Sequence, residues 1–199
     1  MSIVNMRFIN KIVILAVVFL LFSTATSFAQ CNTFVSGGTI DGETWTKAGS
    51  PYCVDGNLTI KNLTITPGVI VEFLDNYQFN IEPGGVLKAN GASTEKIVIK
   101  NSAINGKGWQ GIRFEDSDST CKLIYCTIEG SVNSGIRIAE CTPTIDHCVV
   151  TKNMGALGGG ISITLTTSEN HKLNITDCEI TNNTSLTDVH PKSKRPFRL

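Results

Sequence analysis

Hydrophobic positions between residues 111 and 183 recur in one unit that the chain repeats three times. The pattern glycine, apolar, any residue, apolar occurs at residues 111–114, 135–138 and 160–163, so its copies begin 24 and 25 positions apart. Each copy is followed by an apolar residue, a cysteine three positions later, and another apolar residue two positions after the cysteine. A repeat of this length is too short to bury its own apolar face, so it must stack on its neighbours as in a solenoid.

The spacing inside each repeat indicates which solenoid this is. Apolar and other residues alternate within each pattern, as on a strand that buries one face. The two residues before each cysteine break the alternation, which predicts a bend. Equivalent short strands of successive repeats then stack in parallel, so the sequence predicts an all-β parallel β-helix. Two inward ladders are predicted, one of isoleucines and one of cysteines: Ile112, Ile136 and Ile161, and Cys126, Cys148 and Cys178.

Several of these residues resemble the right-handed parallel β-helix repeat proteins, whose fold pectate lyases and polygalacturonases share. The resemblance rests on Trp-Gln-Gly-Ile at residues 109–112, on the cysteine-containing repeats, and on the Pro-Gly turns within residues 65–68 and 81–84. It covers residues 56–183 and is strongest towards secreted bacterial members. It implies a right-handed coil and leaves the activity open, because one fold hosts many functions.

Composition divides the chain into four segments. Residues 1–29 have two basic residues, an apolar run of eleven residues and a small-residue cleavage site, which together predict a secretory signal peptide. Residues 30–55, rich in glycine, threonine and serine, are predicted to be an irregular lead-in that caps the coil. Residues 56–183 form the predicted β-helix, and residues 184–199 a flexible tail. Because nothing obvious caps the last strand, the coil is expected to be truncated at its C-terminal end.

Net charge and hydropathy limit which partners and which cellular location the sequence predicts. Without the signal peptide the chain keeps 15 basic and 17 acidic residues, a net charge of −2, which predicts no surface for nucleic acid. No other stretch is apolar enough to span a bilayer. The expected location is therefore secreted, either extracellular or at the cell surface.

Seven cysteines in an exported chain raise the question of disulfides. The three ladder cysteines are expected to stay reduced, because side chains stacked in parallel point the same way. Two pairings are left open for the other residues, Cys31 with Cys53 and Cys121 with Cys141.

Outward ladders are where a β-helix can bind a polymer. Arg113 and Arg137 share one outward position of successive repeats, and two guanidinium groups one repeat apart suit the carboxylates of an acidic sugar. The competing interpretation is that nearby acidic residues neutralise them. A second ladder, Tyr125, His147 and Asp177, precedes the cysteines, and its aromatic and histidine suit a sugar ring unless it is a plain solvated face.

Metal and catalytic motifs are sparse. Asp116 and Asp118 are weak candidates for Ca²⁺ ligands, against a simple polar turn, and no other cofactor is expected. The three histidines lack the spacing of metal ligands. Of the polygalacturonase motifs, Asn-x-Asp, the aspartate pair and Gly-His-Gly are absent, and residues 137–139 only begin like the family's Arg-Ile-Lys.

These observations favour a secreted, non-catalytic β-helix repeat protein with a structural, adhesive or polysaccharide-binding role at the cell surface. Its expected partners are extracellular polysaccharide or cell-surface proteins. The alternative is a carbohydrate-active enzyme, a lyase or hydrolase of acidic polysaccharide, or a fragment of one. The two hypotheses differ in whether acidic and basic residues converge on one outward sheet.

Overall fold

The structure, a computed structural model, describes residues 31–166, 172–186 and 197–198. The predicted signal peptide lies outside the described residues. Strands dominate the described part, with one short 3-10 turn at Lys47–Gly49. The strands are β1 Thr33–Trp45, β2 Tyr52–Ile65, β3 Ile70–Phe73, β4 Phe79–Asn90, β5 Ile97–Asn101, β6 Ile112–Glu115, β7 Lys122–Ile124, β8 Cys126–Glu129, β9 Ile136–Ala139, β10 Thr144–Asp146, β11 Val149–Thr151, β12 Met154–Gly155, β13 Ile161–Thr164, β14 Asn174–Thr176, β15 Glu179–Thr181, β16 Thr184–Ser185 and β17 Phe197–Arg198.

Parallel pairing arranges these strands on three faces that the chain visits in turn. Face A holds the first parts of β1 and β2, then β3, β5, β8, β11 and β15. Face B holds the middle of β1 and β2, the start of β4, then β6, β9 and β13. Face C holds the ends of β1, β2 and β4, then β7, β10 and β14. This is a parallel β-helix, so the predicted fold class is confirmed.

Left-handed residues make the corners between the faces. Tyr125, His147 and Asp177 have φ of 48°, 52° and 50° at the corner from face C to face A, where the broken alternation predicts a bend. Asp116 and Glu140 take the same conformation after face B, with φ of 48° and 53°. A single left-handed residue turns the chain sharply while the strands on either side keep their pairing.

The core consists of ladders in register from rung to rung. On face B, Leu58, Phe79, Ile112 and Ile136 occupy one inward position and are almost fully buried. Ile161 pairs with Ile136 in the expected register but is only half-buried, because it lies on the last described strand of that face. Burial of these ladders supplies the main stabilisation of the coil, at roughly 25 cal/mol per Å² of apolar surface.

Trp109 belongs to this core. Its side chain is fully buried and stacks on Phe73, with ring centroids 4.5 Å apart. Its indole N–H donates to the carbonyl oxygen of Glu129 at 2.9 Å. The buried indole nitrogen is therefore satisfied, and the ring packs inside the coil rather than against a ligand.

The N-terminal segment differs from the irregular lead-in predicted for residues 30–55. Strand β1 runs for 13 residues and pairs in parallel with β2 on all three faces. Register shifts occur near Gly38 and Asp41, and these irregularities hide the alternation from a sequence pattern. The segment is therefore paired with the coil as a rung of irregular register, and not an unpaired lead-in as predicted.

Part of the predicted tail is also structured. Strand β16, at the start of residues 184–199, pairs in parallel with β12. Strand β17 pairs with β15 in the antiparallel direction. Two short strands are therefore present within the predicted tail, at residues 184–185 and 197–198, and residues 187–196 and 199 lie outside the described part. Within the described residues no helix is long and apolar enough to cross a bilayer.

Candidate functional site

Arg113 and Arg137 lie side by side on face B. They are directly paired between β6 and β9, and the same outward position holds Asn80 on β4 and Ser162 on β13. Both arginines are half-buried. The ladder predicted from the repeats therefore exists as two guanidinium-bearing side chains on neighbouring strands, roughly 4.8 Å apart at the backbone.

The two arginines differ in their partners. Arg113 forms an ion pair with Glu115, two residues along the same strand. Its Nε, and Oδ1 of the adjacent Asn80, are buried without a hydrogen-bond partner in the described part of the chain. Arg137 has no ion-pair or hydrogen-bond partner among the described residues. In the described part of the chain, an acidic partner is therefore present for Arg113 and none contacts Arg137.

Tyr125 and His147 form a second pair at the corner from face C to face A. Their ring centroids are 4.6 Å apart and their planes are inclined by 36°. The backbone N–H of Tyr125 donates to the carbonyl oxygen of Asp146 at 3.0 Å, and that of His147 to Thr176 at 3.0 Å. These bonds fix the corner residues of successive rungs directly above one another.

Two carboxylates flank the imidazole of His147. Its Nδ1 lies 3.0 Å from Oδ2 of Asp146, at an angle that makes an ion pair rather than an aligned hydrogen bond. Its Nε2 lies 3.9 Å from Oδ2 of Asp177. The adjacent Asp146 carboxylate raises the pKa of His147, with Asp177 also contributing. The hydroxyl of Thr176, followed by His147, lowers the pKa of Asp146.

The arginine pair and the aromatic pair lie on different parts of the coil. The arginines face outward from face B, whereas Tyr125 and His147 are at the corner between faces C and A. A single ligand lying along face B does not run along that corner as well. The four predicted substrate-binding residues therefore form two separate candidate sites.

The predicted calcium ligands, Asp116 and Asp118, make contacts within turns. Asp118 uses Oδ1 to accept from the backbone N–H and the hydroxyl of Thr120, at 2.7 and 2.6 Å, and these bonds lower the pKa of Asp118. Asp116 is a left-handed corner residue whose carbonyl oxygen accepts from Gly84. Among the described residues neither aspartate belongs to a group of three clustered metal-ligating side chains. Their geometry is that of a polar turn.

The cysteines follow three different patterns. Cys31 and Cys53 form a disulfide. Cys121 and Cys141 are buried free thiols, so the pairing suggested for them does not form. The reason is that the Cys121 sulfur faces the preceding rung, where it accepts from the N–H of Leu87 at 3.3 Å and contacts the carbonyl oxygen of Gly85 at 3.4 Å.

The ladder cysteines Cys126, Cys148 and Cys178 are free and buried. Each thiol lies close to a carbonyl oxygen of the preceding rung, for example 3.3 Å between Cys148 and Leu123. The neighbouring Cys126 thiol, together with burial, raises the pKa of Cys148 to about 12. The sequence pattern predicts that the ladder cysteines are small buried residues, but it does not predict that their thiols contact backbone carbonyl oxygens.

A polar cleft of about 300 Å³ lies at the corner from face A to face B. Its wall includes Asn101, Lys107, Lys152 and Asn182. Both lysines already have acidic partners, Lys107 with an aspartate at 2.8 Å and Lys152 with a glutamate at 3.6 Å. A ligand in the cleft would therefore meet side-chain amides and backbone groups rather than unpaired lysine charges.

Sequence reasoning missed one cluster. Asp146, His147 and Asp177 each place a metal-ligating atom within 4.8 Å of the other two. His147 and Asp177 were visible as one ladder, but Asp146 was not connected with them. The register of the repeats contains the information, because Asp146 pairs with Thr176. The residues that follow them, His147 and Asp177, must then be neighbours on successive rungs.

Comparison with known families agrees with this architecture. The profile described as "Right handed beta helix region" matches residues 53–190, which is more than half of the chain. The chain therefore belongs to the right-handed β-helix family. Searches of curated proteins and of solved structures found no match.

Proposed function

We propose that this chain is a secreted, non-catalytic β-helix protein that binds acidic polysaccharide at the cell surface, in an adhesive or structural role. The observation that carries the proposal is the direct pairing of Arg113 with Arg137 on face B. A planar guanidinium binds a carboxylate through two parallel N–H groups, which a lysine cannot do. Two such groups on adjacent rungs suit a chain of acidic sugars lying along the coil.

The local contacts support this binding mode. Arg113 is paired with Glu115, so a carboxylate of the polymer must compete with that side chain at this position. Arg137 has no competing partner within the described residues and is free to bind a carboxylate of the polymer. Surface ion pairs are individually weak, so affinity must come from repetition along the polymer.

The same face supports a non-catalytic role. Hydrolysis by two carboxyl groups needs one on each side of the scissile bond. The outward ladder in register is Asn80, Arg113, Arg137 and Ser162, which contains no carboxylate. Glu115, at the end of β6, faces Ala139 in the next strand rather than a second acid.

The first test measures binding and cleavage together. The purified protein is titrated with polygalacturonate and with a neutral polysaccharide, with and without calcium, and newly formed chain ends are assayed. Saturable binding to the acidic polymer without new ends is expected. New chain ends would overturn the non-catalytic assignment and favour the carbohydrate-active alternative, and absence of binding would overturn the polysaccharide role.

Matched variants locate the binding surface. Arg113→Gln with Arg137→Gln removes two positive charges from face B. Lys88→Gln with Lys122→Gln removes two from face C, where these lysines are also directly paired. The arginine variant is expected to lose most of the affinity and the lysine variant to keep it. Equal losses would show that binding follows net charge and not the arginine ladder.

Export is tested separately. Expression of the full chain in a bacterial host, followed by fractionation and N-terminal sequencing, is expected to give an extracellular or surface-bound product starting near Gln30. A product retained in the cytoplasm with its N-terminus intact would contradict the secreted location.

A further inference from the structure

The corner from face C to face A gathers three potential metal ligands from two distant parts of the sequence. Asp146 and His147 are adjacent, and Asp177 follows thirty residues after His147. The pairing of β10 with β14 places Asp146 opposite Thr176, so His147 and Asp177 are neighbours on successive rungs. One ligating atom of each residue lies within 4.8 Å of the other two.

The spacing suits a small divalent ion. Zinc lies 2.0–2.2 Å from imidazole nitrogen and carboxylate oxygen, so two ligands of a tetrahedral ion are about 3.4 Å apart. Nε2 of His147 is 3.9 Å from Oδ2 of Asp177, and a small rotation of the exposed Asp177 side chain closes the difference. The Asp146 carboxylate lies 3.0 Å from the other ring nitrogen, Nδ1. One ion binds only one of these nitrogens, and a single ligating atom from each of the three residues lies within 4.8 Å of the other two, so a side-chain rotation brings both carboxylates to the same nitrogen.

Surrounding contacts hold two of the three ligands in place. The Thr176 hydroxyl donates to Oδ1 of Asp146, which leaves Oδ2 available. The ring of Tyr125, on the preceding rung, packs against the imidazole at an inclination of 36°. The left-handed backbone of His147 is anchored by its N–H bond to Thr176. Outer contacts of this kind orient the ligands of metal sites.

The ligand types indicate the class of ion. An imidazole with carboxylates suits zinc and neighbouring transition metals, whereas calcium and magnesium prefer oxygen ligands alone. Three protein ligands leave at least one position for water or for a group of a bound partner. We propose that Asp146, His147 and Asp177 form a binding site for a divalent transition-metal ion, with zinc as the representative case.

Calorimetric titration of the untagged full chain with Zn²⁺ at neutral pH tests the site directly. One ion per chain is expected to bind, with reversal by a chelator and no competition from excess Mg²⁺. Asp177→Asn and His147→Asn should each abolish this binding, and asparagine tolerates the left-handed backbone at both positions. The circular dichroism of each variant shows whether the fold is kept.

Two further variants separate ligation from other causes. Thr176→Val keeps a β-branched residue and removes the hydroxyl that orients Asp146, so affinity should fall by about 10- to 100-fold. Joint replacement of His171 and His190 by asparagine should leave binding unchanged. Zinc binding that disappears in this double variant, or that persists in folded His147→Asn, would overturn the proposal, as would absence of binding by the wild-type protein.

Discussion

Asn153 and Asn183 are linked inside the corner from face A to face B, where Oδ1 of Asn183 accepts from both nitrogens of Asn153. The distances are 3.0 Å to the backbone nitrogen and 3.1 Å to the side-chain nitrogen. Asn153 in turn accepts from the N–H of Ser131 at 3.0 Å and donates to the carbonyl oxygen of Ile128 at 3.0 Å. The two side chains thus connect the corners of three successive rungs.

Asn153→Ala should therefore be strongly destabilising. It leaves the buried N–H of Ser131 and the carbonyl oxygen of Ile128 without their partner, and each lost bond of this kind costs about 1–3 kcal/mol. We expect the free energy of unfolding in urea to fall by about 3 kcal/mol. Asn133→Ala, which removes one half-buried bond to Gln110, is the control and should cost less than about 1 kcal/mol. If the two substitutions lowered the free energy of unfolding equally, the linked side chains of Asn153 and Asn183 would not have the stabilising role assigned to them.

The inward assignment of Ile136 on face B and of Cys148 next to β11 on face A makes a second prediction. Ile136 and Cys148 are almost fully buried, so aspartate at either position places an unpaired charge between rungs, which costs several kcal/mol. Ile136→Asp and Cys148→Asp should each unfold the repeat region. Arg137→Ala should leave the melting curve unchanged because the side chain points outward. A normal thermal transition in Ile136→Asp, followed by circular dichroism, would show that the inward assignment is wrong.

The repeated part of the fold is predictable because its pattern is regular. Alternation in residues 135–138 identifies Ile136 as inward and Arg137 as outward, and the structure has both orientations. Strand β1 lacks that signal, since glycines and register shifts interrupt its alternation. The pattern also misses the approach of Asp146 and Asp177 to His147, because alternation does not specify where corner side chains point.

The disulfide provides a third prediction. Cys31 and Cys53 are separated by 22 residues and join the start of β1 to β2. Closing a loop of that size stabilises the folded state by about 3 kcal/mol, through restriction of the unfolded chain. Reducing agent should lower the urea midpoint of the wild-type protein, and Cys31→Ala with Cys53→Ala should reproduce that lower value.

The double variant is also the control for the other five thiols. These five thiols are free in the structure, so reducing agent should not change the urea midpoint of the double variant further. A shift in the double variant on reduction would reveal a second disulfide, such as one between Cys121 and Cys141.

The cysteine ladder predicts a specific loss of stability at alkaline pH. The pKa of Cys148 rises from 9.0 to about 12 on folding, so the folded state favours the protonated thiol. The stabilisation is complete below pH 9.0 and is lost as pH rises through about 12, because the unfolded thiol ionises first. One such group lowers the free energy of unfolding by about 1.4 kcal/mol per pH unit within this window.

Comparison of wild type with Cys148→Ala separates the cysteine ladder from other groups that titrate at high pH, because Cys148 also raises the pKa of Cys178. Urea unfolding at pH 8, 9, 10 and 11 should give parallel stabilities for the two proteins up to about pH 9 and a steeper decline for the wild type above it. Alanine removes the titrating thiol and keeps a small apolar side chain in the ladder. Any loss of stability caused by the substitution itself is the same at every pH, so it does not affect the slope of unfolding free energy against pH. Identical slopes throughout would mean that the Cys148 thiol and its partner Cys178 ionise as readily in the folded coil as in the unfolded chain.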